Sequence, residues 1–311
     1  MKIVSLFSGA GGLDLGMIQA GHIIIWANDI DKDAVSTYRA NIGNHIVHND
    51  IRNIDIRTIP SCDMVIGGFP CQGFSLANLK RNISDERNSL YHFFCNVVND
   101  KKPLFFIAEN VKGILSLGGG IIIKEITKDF SEIGYHVEVH SVNMADYGVP
   151  QMRQRVVIIG ERRDIHEKFH FSFPQPTHDK NGKIRPWVTI KDAIDCYPDP
   201  YTENSIPNHV CSEYKVIYRD FTAHRKTDPN KPSPTILARG NGKGGVCAIP
   251  HYTGNRRLSV RESAAIQTFP DDFVFEGSKT SCYRQIGNAV PPLFSRKLGE
   301  ELTKIEKKLT L

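Results

Sequence analysis

Residues 2–16 read KIVSLFSGAGGLDLG: a short β-branched run that ends in a glycine-rich turn and then takes on helical spacing. KIVSLF (2–7) reads as a strand, and glycines 9, 11, 12 and 16 open a helix over 12–20. Such a turn lets a ligand approach bare backbone and sets helix N–H groups beside it. The glycines do not follow the G-x-G-x-x-G spacing, so the turn points to a nucleotide-like ligand without selecting a dinucleotide.

Outward from this unit the pattern repeats. Residues 22–29, 63–68, 104–110, 135–143 and 155–161 read as further strands, and 12–20, 33–41, 86–99 and 121–133 carry helical spacing. Continuous apolar strands separated by helices predict an α/β fold, a doubly wound, mostly parallel sheet covered on both faces. From about 172 to 255 the chain becomes rich in Pro, Asn, Thr and Gly, with TILA and VCAI as short strand candidates. This predicts a second, smaller, loop-rich domain. Helical periodicity returns in LSVRESAAIQTF and in PPLFSRKLGEELTKIEKKL. The expected organisation is 1–170, 171–257 and a return of 258–311 to the first domain.

Composition narrows the function classes. The 40% hydrophobic and 23% charged content is that of a globular protein, and the longest apolar runs, such as LFFIA (104–108), read as buried strands. No signal-peptide pattern precedes the first strand, so a cytoplasmic location is expected. The seven cysteines are scattered and form no CxxC pair, which argues against a disulfide framework and a structural zinc site. The net charge of +5 is unevenly placed: Lys215 to Arg261 holds ten Lys or Arg against Asp220 and Asp228. That balance predicts a polyanionic partner at the second domain.

Strand ends carry the candidate chemistry. Asp29, at the end of the second strand, can accept hydrogen bonds from ribose hydroxyls, and Asp50, which ends HIVHND, can meet an adenine amino group. Together with the glycine turn they predict an adenosine-containing ligand, leaving a dinucleotide and S-adenosylmethionine both open. IGGFPCQGFS (66–75) overlaps the buried strand MVIGG (64–68), and past the strand end FPCQGFS (69–75) offers Cys71, between Pro70 and Gln72, to the ligand edge of the sheet. A thiolate there can act as a nucleophile. Glu109, after five apolar residues, comes to the same edge, where a carboxylic acid in a poorly solvated pocket can donate a proton. Arg153 and Arg155 in VPQMRQR alternate on one side of an extended segment and suit a carbonyl or phosphate ligand.

FSGAGG, GGFPCQGFS, ENV, QMRQR, RESAAIQTFP and YRQIGNAVPP, in this order, resemble the sequence blocks of the DNA (cytosine-5) methyltransferases. The resemblance covers the chain apart from about 170–255, and it implies a stand-alone bacterial enzyme of restriction-modification type. It implies that Cys71 attacks C6 of the target cytosine, that Glu109 protonates the ring at N3, and that Arg155 with Arg153 holds the base. It places Phe7, Gly9, Gly11, Leu13, Asp29, Ile30, Asp50, Ile51, Pro70, Leu90, Asn288 and Val290 around S-adenosylmethionine, and it makes the variable segment a target recognition domain. No metal is implied.

Asp29 stands where many relatives have Glu, which shortens the reach to the ribose by one methylene. With the first strand beginning at residue 2, the N-terminal regulatory regions of maintenance enzymes are not expected. The polar run LANLKRNISDERN (76–88) is expected to close over duplex DNA, and RESAAIQTFP to give structural support through Ala264, Ala265 and Ile266. The implied partners are duplex DNA and a separately acting restriction endonuclease, with the protein itself a monomer. A tRNA cytosine methylase and a nicotinamide-dependent oxidoreductase are the alternatives to be weighed.

Overall fold

The computed structural model describes residues 1–70, 88–211, 227–238, 249–254 and 256–309. In chain order these form β1 (Lys2–Leu6), α1 (Gly12–Gln19), β2 (Ile23–Asp29), α2 (Lys32–Asn41), β3 (Ile46–His48), β4 (Met64–Gly67), α3 (Asn88–Lys101) and β5 (Phe105–Val111). There follow α4 (Ile121–Glu132), β6 (Tyr135–Asn143), β7 (Gln151–Met152), β8 (Gln154–Arg162), α5 (Arg163–His166) and α6 (Ile190–Ile194). β9 (Ser233–Pro234), α7 (Val260–Ile266), α8 (Lys279–Asn288) and α9 (Pro292–Leu309) complete the order.

Seven of these strands form one sheet in the order β3-β2-β1-β4-β5-β8-β6. Pairing is parallel from β3 to β5, and β8 alone is reversed, running antiparallel to both β5 and β6. The expectation of a mostly parallel sheet therefore holds, with a hairpin at one end supplying the reversed strand.

Side-chain alternation covers both faces. Ile3, Met64, Ile66, Phe105 and Ile107 pack with Met17 of α1 and with Phe294, Leu298 and Leu302 of α9. Val4, Val65, Phe106 and Ala108 pack on the other face with Tyr91 and Phe94 of α3 and Phe130 of α4. Residues such as Ile66 and Phe106, fully shielded from solvent, each contribute about 1.5–3 kcal/mol by burial.

Close backbone approaches lock α1 to the C-terminal elements. A Cβ on Gly12 would meet the Val290 carbonyl oxygen at 2.4 Å, and one on Gly16 the Pro292 carbonyl oxygen at 2.4 Å. The glycines of the opening stretch thus serve helix packing as well as the turn.

A third core joins Ile190 and Ile194 of α6 and Ile236 to Val260, Ala264, Ile266 and Tyr283. The chain after residue 258 consequently divides: α9 lies along α1, whereas α7 and α8 share a core with the loop-rich segment. Ala264 and Ile266 are fully buried and Ala265 partly so, and Ser259 and Glu262 close a reciprocal capping box at the start of α7.

TILA (235–238) is not a strand. The only pairing in that vicinity among the described residues is the parallel contact of Ser233–Pro234 with Gln151–Met152. Side chains take the place of a ladder here: Ile236 donates its N–H to Gln151 Oε1 at 2.9 Å and accepts from Arg153 Nη1 at 3.1 Å. Of VCAI, residues 246–248 lie outside the described residues.

Candidate active site

Strand register assembles the cleft. Leu6 pairs with Asn28 and with Gly67, and Gly67 with Ala108, so the next residues Phe7, Asp29, Gly68 and Glu109 form a row along one sheet edge. This is the edge at which open α/β sheets bind ligands.

A single cleft along this edge is lined by Phe7, Gly9, Leu13, Asp29, Ile30, Asp50, Ile51, Pro70, Leu90, Glu109, Arg153, Arg155, Asn288 and Val290. Gly11 stands apart from that lining. It precedes α1 with φ +90, and a Cβ there would strike the Ile42 side chain at 2.3 Å. Cys71 and the run 76–87 lie outside the described residues.

At the first turn Phe7 adopts φ 55, uncommon for a residue with a side chain. Asp29 pins this turn: its Oδ2 accepts the Gly9 N–H at 2.7 Å and its Oδ1 the Asp31 N–H at 2.8 Å. Burial raises the pKa of Asp29, opposed by those same backbone hydrogen bonds. Gly9 has nothing within 4 Å of the place a Cβ would occupy, so its backbone faces open cleft.

Asp50 caps the 3-10 turn over 51–53 and is paired with Arg52, which holds its pKa below the usual carboxylate range. Ile30 is 64% exposed while lining the cleft, an apolar surface available to a planar ligand.

The opposite end of the cleft carries the acid and the arginines. Arg155 Nε lies 2.8 Å from Glu109 Oε1, both side chains being about nine-tenths buried. They sit as a diagonal pair across β5 and β8, since Glu109 faces Val157 and Val111 faces Arg155. The contact is an ion pair without a directed hydrogen bond, and among the described residues Glu109 Oε1 is buried with no hydrogen-bond donor.

The neighbouring Asn110 donates to the Phe69 carbonyl at 3.0 Å and accepts the Val111 N–H. It thereby fixes the backbone two residues before Cys71. Gly67 is required in the same stem, because a Cβ would come within 2.3 Å of the Leu6 carbonyl oxygen.

Arg153 does not share the setting of Arg155. Its guanidinium, almost fully buried, donates to the carbonyls of Ile236, Gly287 and Ala289 at 3.0–3.1 Å. Burial and then the adjacent Arg155 cation bring its pKa down to about 9, which still leaves it charged at neutral pH. Gln151 and Gln267 extend the junction: Gln151 Nε2 donates to Gln267 Oε1 at 2.9 Å, and Gln267 Nε2 to the Ile286 carbonyl at 2.6 Å. The fork of Arg153 thus joins three chain segments that sequence spacing places far apart.

Sequence reasoning did not single out Asp14, Asp31 or Arg284, all of which line the cleft. Asp14 is fully buried, accepts from Ser5 Oγ at 2.7 Å and Tyr38 Oη at 2.8 Å, and has its pKa pushed up to about 6 by burial. Arg284 reaches Asp31 Oδ2 at 2.7 Å, linking α8 to the start of α2. Only the apolar-helix position of Asp14 offered a sequence signal; the Asp31–Arg284 pair spans 253 residues.

The reading of the basic segment changes. Of the ten basic residues counted between 215 and 261, Arg256, Arg257 and Arg261 are buried. Arg256 forms a forked pair with Glu262, Arg257 lies over the Tyr283 ring, and Arg261 donates to the carbonyls of Pro207, Pro270 and Phe273. These three build the domain rather than offering charge to a polyanion. Lys231 is exposed beside Asp228, and the other six lie outside the described residues.

Among the described cysteines, Cys62, Cys95, Cys211 and Cys282 have thiols pushed by burial to about 11 or 12. Such groups stay protonated at neutral pH and are poor nucleophiles.

A doubly wound sheet with one reversed strand, a glycine turn pinned by an acidic strand end, and an acid–arginine pair at the same edge defines an S-adenosylmethionine-dependent methyltransferase fold. The chain belongs to the C-5 cytosine-specific DNA methylase family, whose model matches residues 1–304.

It is 42% identical to the type II methyltransferase M.NgoFVII of Neisseria gonorrhoeae over 94% of this chain and 83% of that one. It is 35% identical to M.BsuRI of Bacillus subtilis over 97% of this chain and 79% of that one. Among solved structures, S. pombe Dnmt2 shares the fold with a TM-score of 0.72 at 18% identity, covering all of both chains. A prophage-encoded E. coli protein assigned as a DNA modification methyltransferase gives a TM-score of 0.76 at 26% identity, covering 99% of each. Among the described residues no helix is long and apolar enough to cross a membrane.

Proposed function

We propose that this protein is a DNA (cytosine-5-)-methyltransferase. In this reading it transfers a methyl group from S-adenosylmethionine to C5 of a cytosine flipped out of a specific duplex sequence, by way of a covalent bond between Cys71 and C6. The observation that carries the reading is the Glu109–Arg155 pair, whose buried Oε1 lacks a hydrogen-bond donor among the described residues, at the edge to which the stem of Cys71 leads.

The cleft suits the cofactor. Asp29 and Asp50 offer carboxylates to a ribose and an adenine amino group, Phe7, Ile30, Ile51, Leu90 and Val290 offer apolar surface, and Gly9 leaves bare backbone open to the cleft. Gly11 supports the turn rather than touching the ligand. When bound, S-adenosylmethionine supplies an electrophilic methyl group.

The chain's own groups prepare the ring. The Cys71 thiolate adds to C6 while Glu109 delivers a proton to N3, so electron density gathers at C5. After transfer the C5 proton is lost to a base, and expulsion of the Cys71 thiolate restores the aromatic ring. Arg155 holds Glu109 at the mouth of the cleft. Arg153 is a positioning residue, fastening the recognition segment to the catalytic sheet. Flipping the base costs a few kcal/mol.

In this reading residues 1–170 form the catalytic domain, about 171–257 read the duplex, and phosphate contacts position it while a few side chains select bases. The relatives named as type II methyltransferases support a place beside a restriction endonuclease; in this reading the enzyme acts as a monomer in the bacterial cytoplasm.

Duplex DNA carrying 5-fluorocytosine at the target position tests the covalent step. A denaturant-stable adduct is expected with the wild-type protein and none with Cys71→Ser. Equal trapping by the variant overturns the nucleophile assignment, and methyl transfer to tRNA in place of duplex DNA overturns the substrate.

A further inference from the structure

At the far end of β8 from Arg155, a cluster of histidines and glutamates plays no part in the cleft. Glu161 lies six residues beyond Arg155, roughly 20 Å along an extended strand. The donor atoms of Glu161, His166 and His170 all lie within 4.8 Å of one another. We propose that these three residues bind a divalent transition-metal ion of the zinc class.

The distances suit such an ion. His166 Nδ1 is 3.4 Å from Glu161 Oε2, His170 Nδ1 is 3.5 Å from Glu161 Oε1, and the two Nδ1 atoms are 3.5 Å apart. Ligands about 2.0–2.1 Å from a tetrahedral zinc ion stand roughly 3.3 Å from each other. Imidazole with carboxylate is a common donor set for this class of ion.

Glu161 carries the second, independent observation. Its side chain is 2% exposed, its Oε2 accepts the Phe171 N–H at 3.0 Å, and its Oε1 is buried with no hydrogen-bond partner among the described residues. A lone carboxylate oxygen in that position is costly unless a cation or donor meets it. His166 presents Nδ1 to Oε2 and His170 presents Nδ1 to Oε1, and the exposed His170 leaves room for water to complete the coordination.

The surroundings hold the rings in place. His136 stacks on His166 with centroids 3.8 Å apart and planes 14° off parallel. Glu138 Oε1 lies 3.9 Å from His170 Nε2, on the side of the ring away from Glu161. A carboxylate behind a metal-bound imidazole orients the ring and raises its basicity. An ion here would tie the end of the β6–β8 hairpin to the 163–171 segment, where the chain leaves the sheet for the loop-rich region.

Untagged full-length protein, stripped with chelator and dialysed, is titrated with Zn²⁺ by calorimetry and with Co²⁺ by visible absorption. The expected result is one tight equivalent and the d–d bands of four-coordinate Co²⁺, with no sulfur charge-transfer band. His170→Ala and His166→Ala should each weaken binding by about tenfold or more while leaving methyl transfer unchanged. Zn²⁺ should raise the melting temperature of the wild type and not of the variants. Affinity unchanged by both substitutions, absence of a tight equivalent, or a thiolate charge-transfer band overturns the proposal.

Discussion

Arg155 Nε lies 2.8 Å from Glu109 Oε1, yet two residues earlier Arg153 gives both terminal nitrogens, Nη1 and Nη2, to the carbonyls of Ile236, Gly287 and Ala289. Two arginines in one Q-x-R-x-R block therefore serve different ends. One pairs with Glu109 in the cleft and the other holds the walls of the cleft together.

Conservative substitution should separate them. Arg153→Lys replaces a planar fork by a point charge and leaves buried carbonyls unmet, a loss of roughly 2–4 kcal/mol in urea unfolding. Arg155→Lys keeps a cation beside Glu109, so it should cost less stability than Arg153→Lys and lower kcat by about tenfold or more. The reverse pattern would assign the roles the other way.

Glu109→Gln keeps the shape of the side chain and removes the acid. Turnover on duplex DNA should fall by roughly 10²–10⁴, read as labelled methyl incorporation, while cofactor binding by calorimetry stays within about twofold. Full activity in the Glu109→Gln enzyme would remove the proton-donor role.

Gly287→Ala tests the junction on which the recognition segment rests. The added methyl would lie 2.4 Å from the Ala238 nitrogen and 2.5 Å from the Leu237 carbonyl carbon. Both are backbone atoms with little freedom to give way, so a loss of about 1–3 kcal/mol is expected in thermal or urea unfolding. KM for DNA should rise with it, because residue 238 leads directly into 239–248.

Asp14 should impose a pH dependence on folding. Its pKa is raised from 3.8 to about 6 by burial, so the native state holds a proton there that the unfolded state has already lost between about pH 4 and 6. Stability contributed by this group is greatest below the unfolded value and falls as pH rises through about 6, by on the order of 3 kcal/mol. Asp14→Asn should flatten that part of the urea-unfolding profile between pH 4 and 7. An unchanged slope would place the proton elsewhere.

Much of the fold was legible because local chemistry and global packing agree. MVIG and FFIA are continuously apolar, since strands in the middle of a doubly covered sheet bury both faces, and Met64, Val65, Ile66, Phe105, Phe106, Ile107 and Ala108 are all fully shielded from solvent. The glycine turn, the capped helices and the acid at the end of β2 follow from residues near one another in the chain. TILA misled because its alternation resembles a strand, while side chains of Gln151 and Arg153, more than 80 residues earlier, take its backbone hydrogen bonds.

By itself, then, the sequence determined the sheet, the order of its motifs and the row of strand ends where Phe7, Asp29 and Glu109 stand, because each depends on short-range periodicity. Tertiary structure alone decided which arginine meets Glu109, that Arg256, Arg257 and Arg261 are spent inside the protein, and that Asp31 meets Arg284. Those outcomes depend on contacts between distant segments and on burial, where a charge must find a partner and the chain's linear order does not say which one.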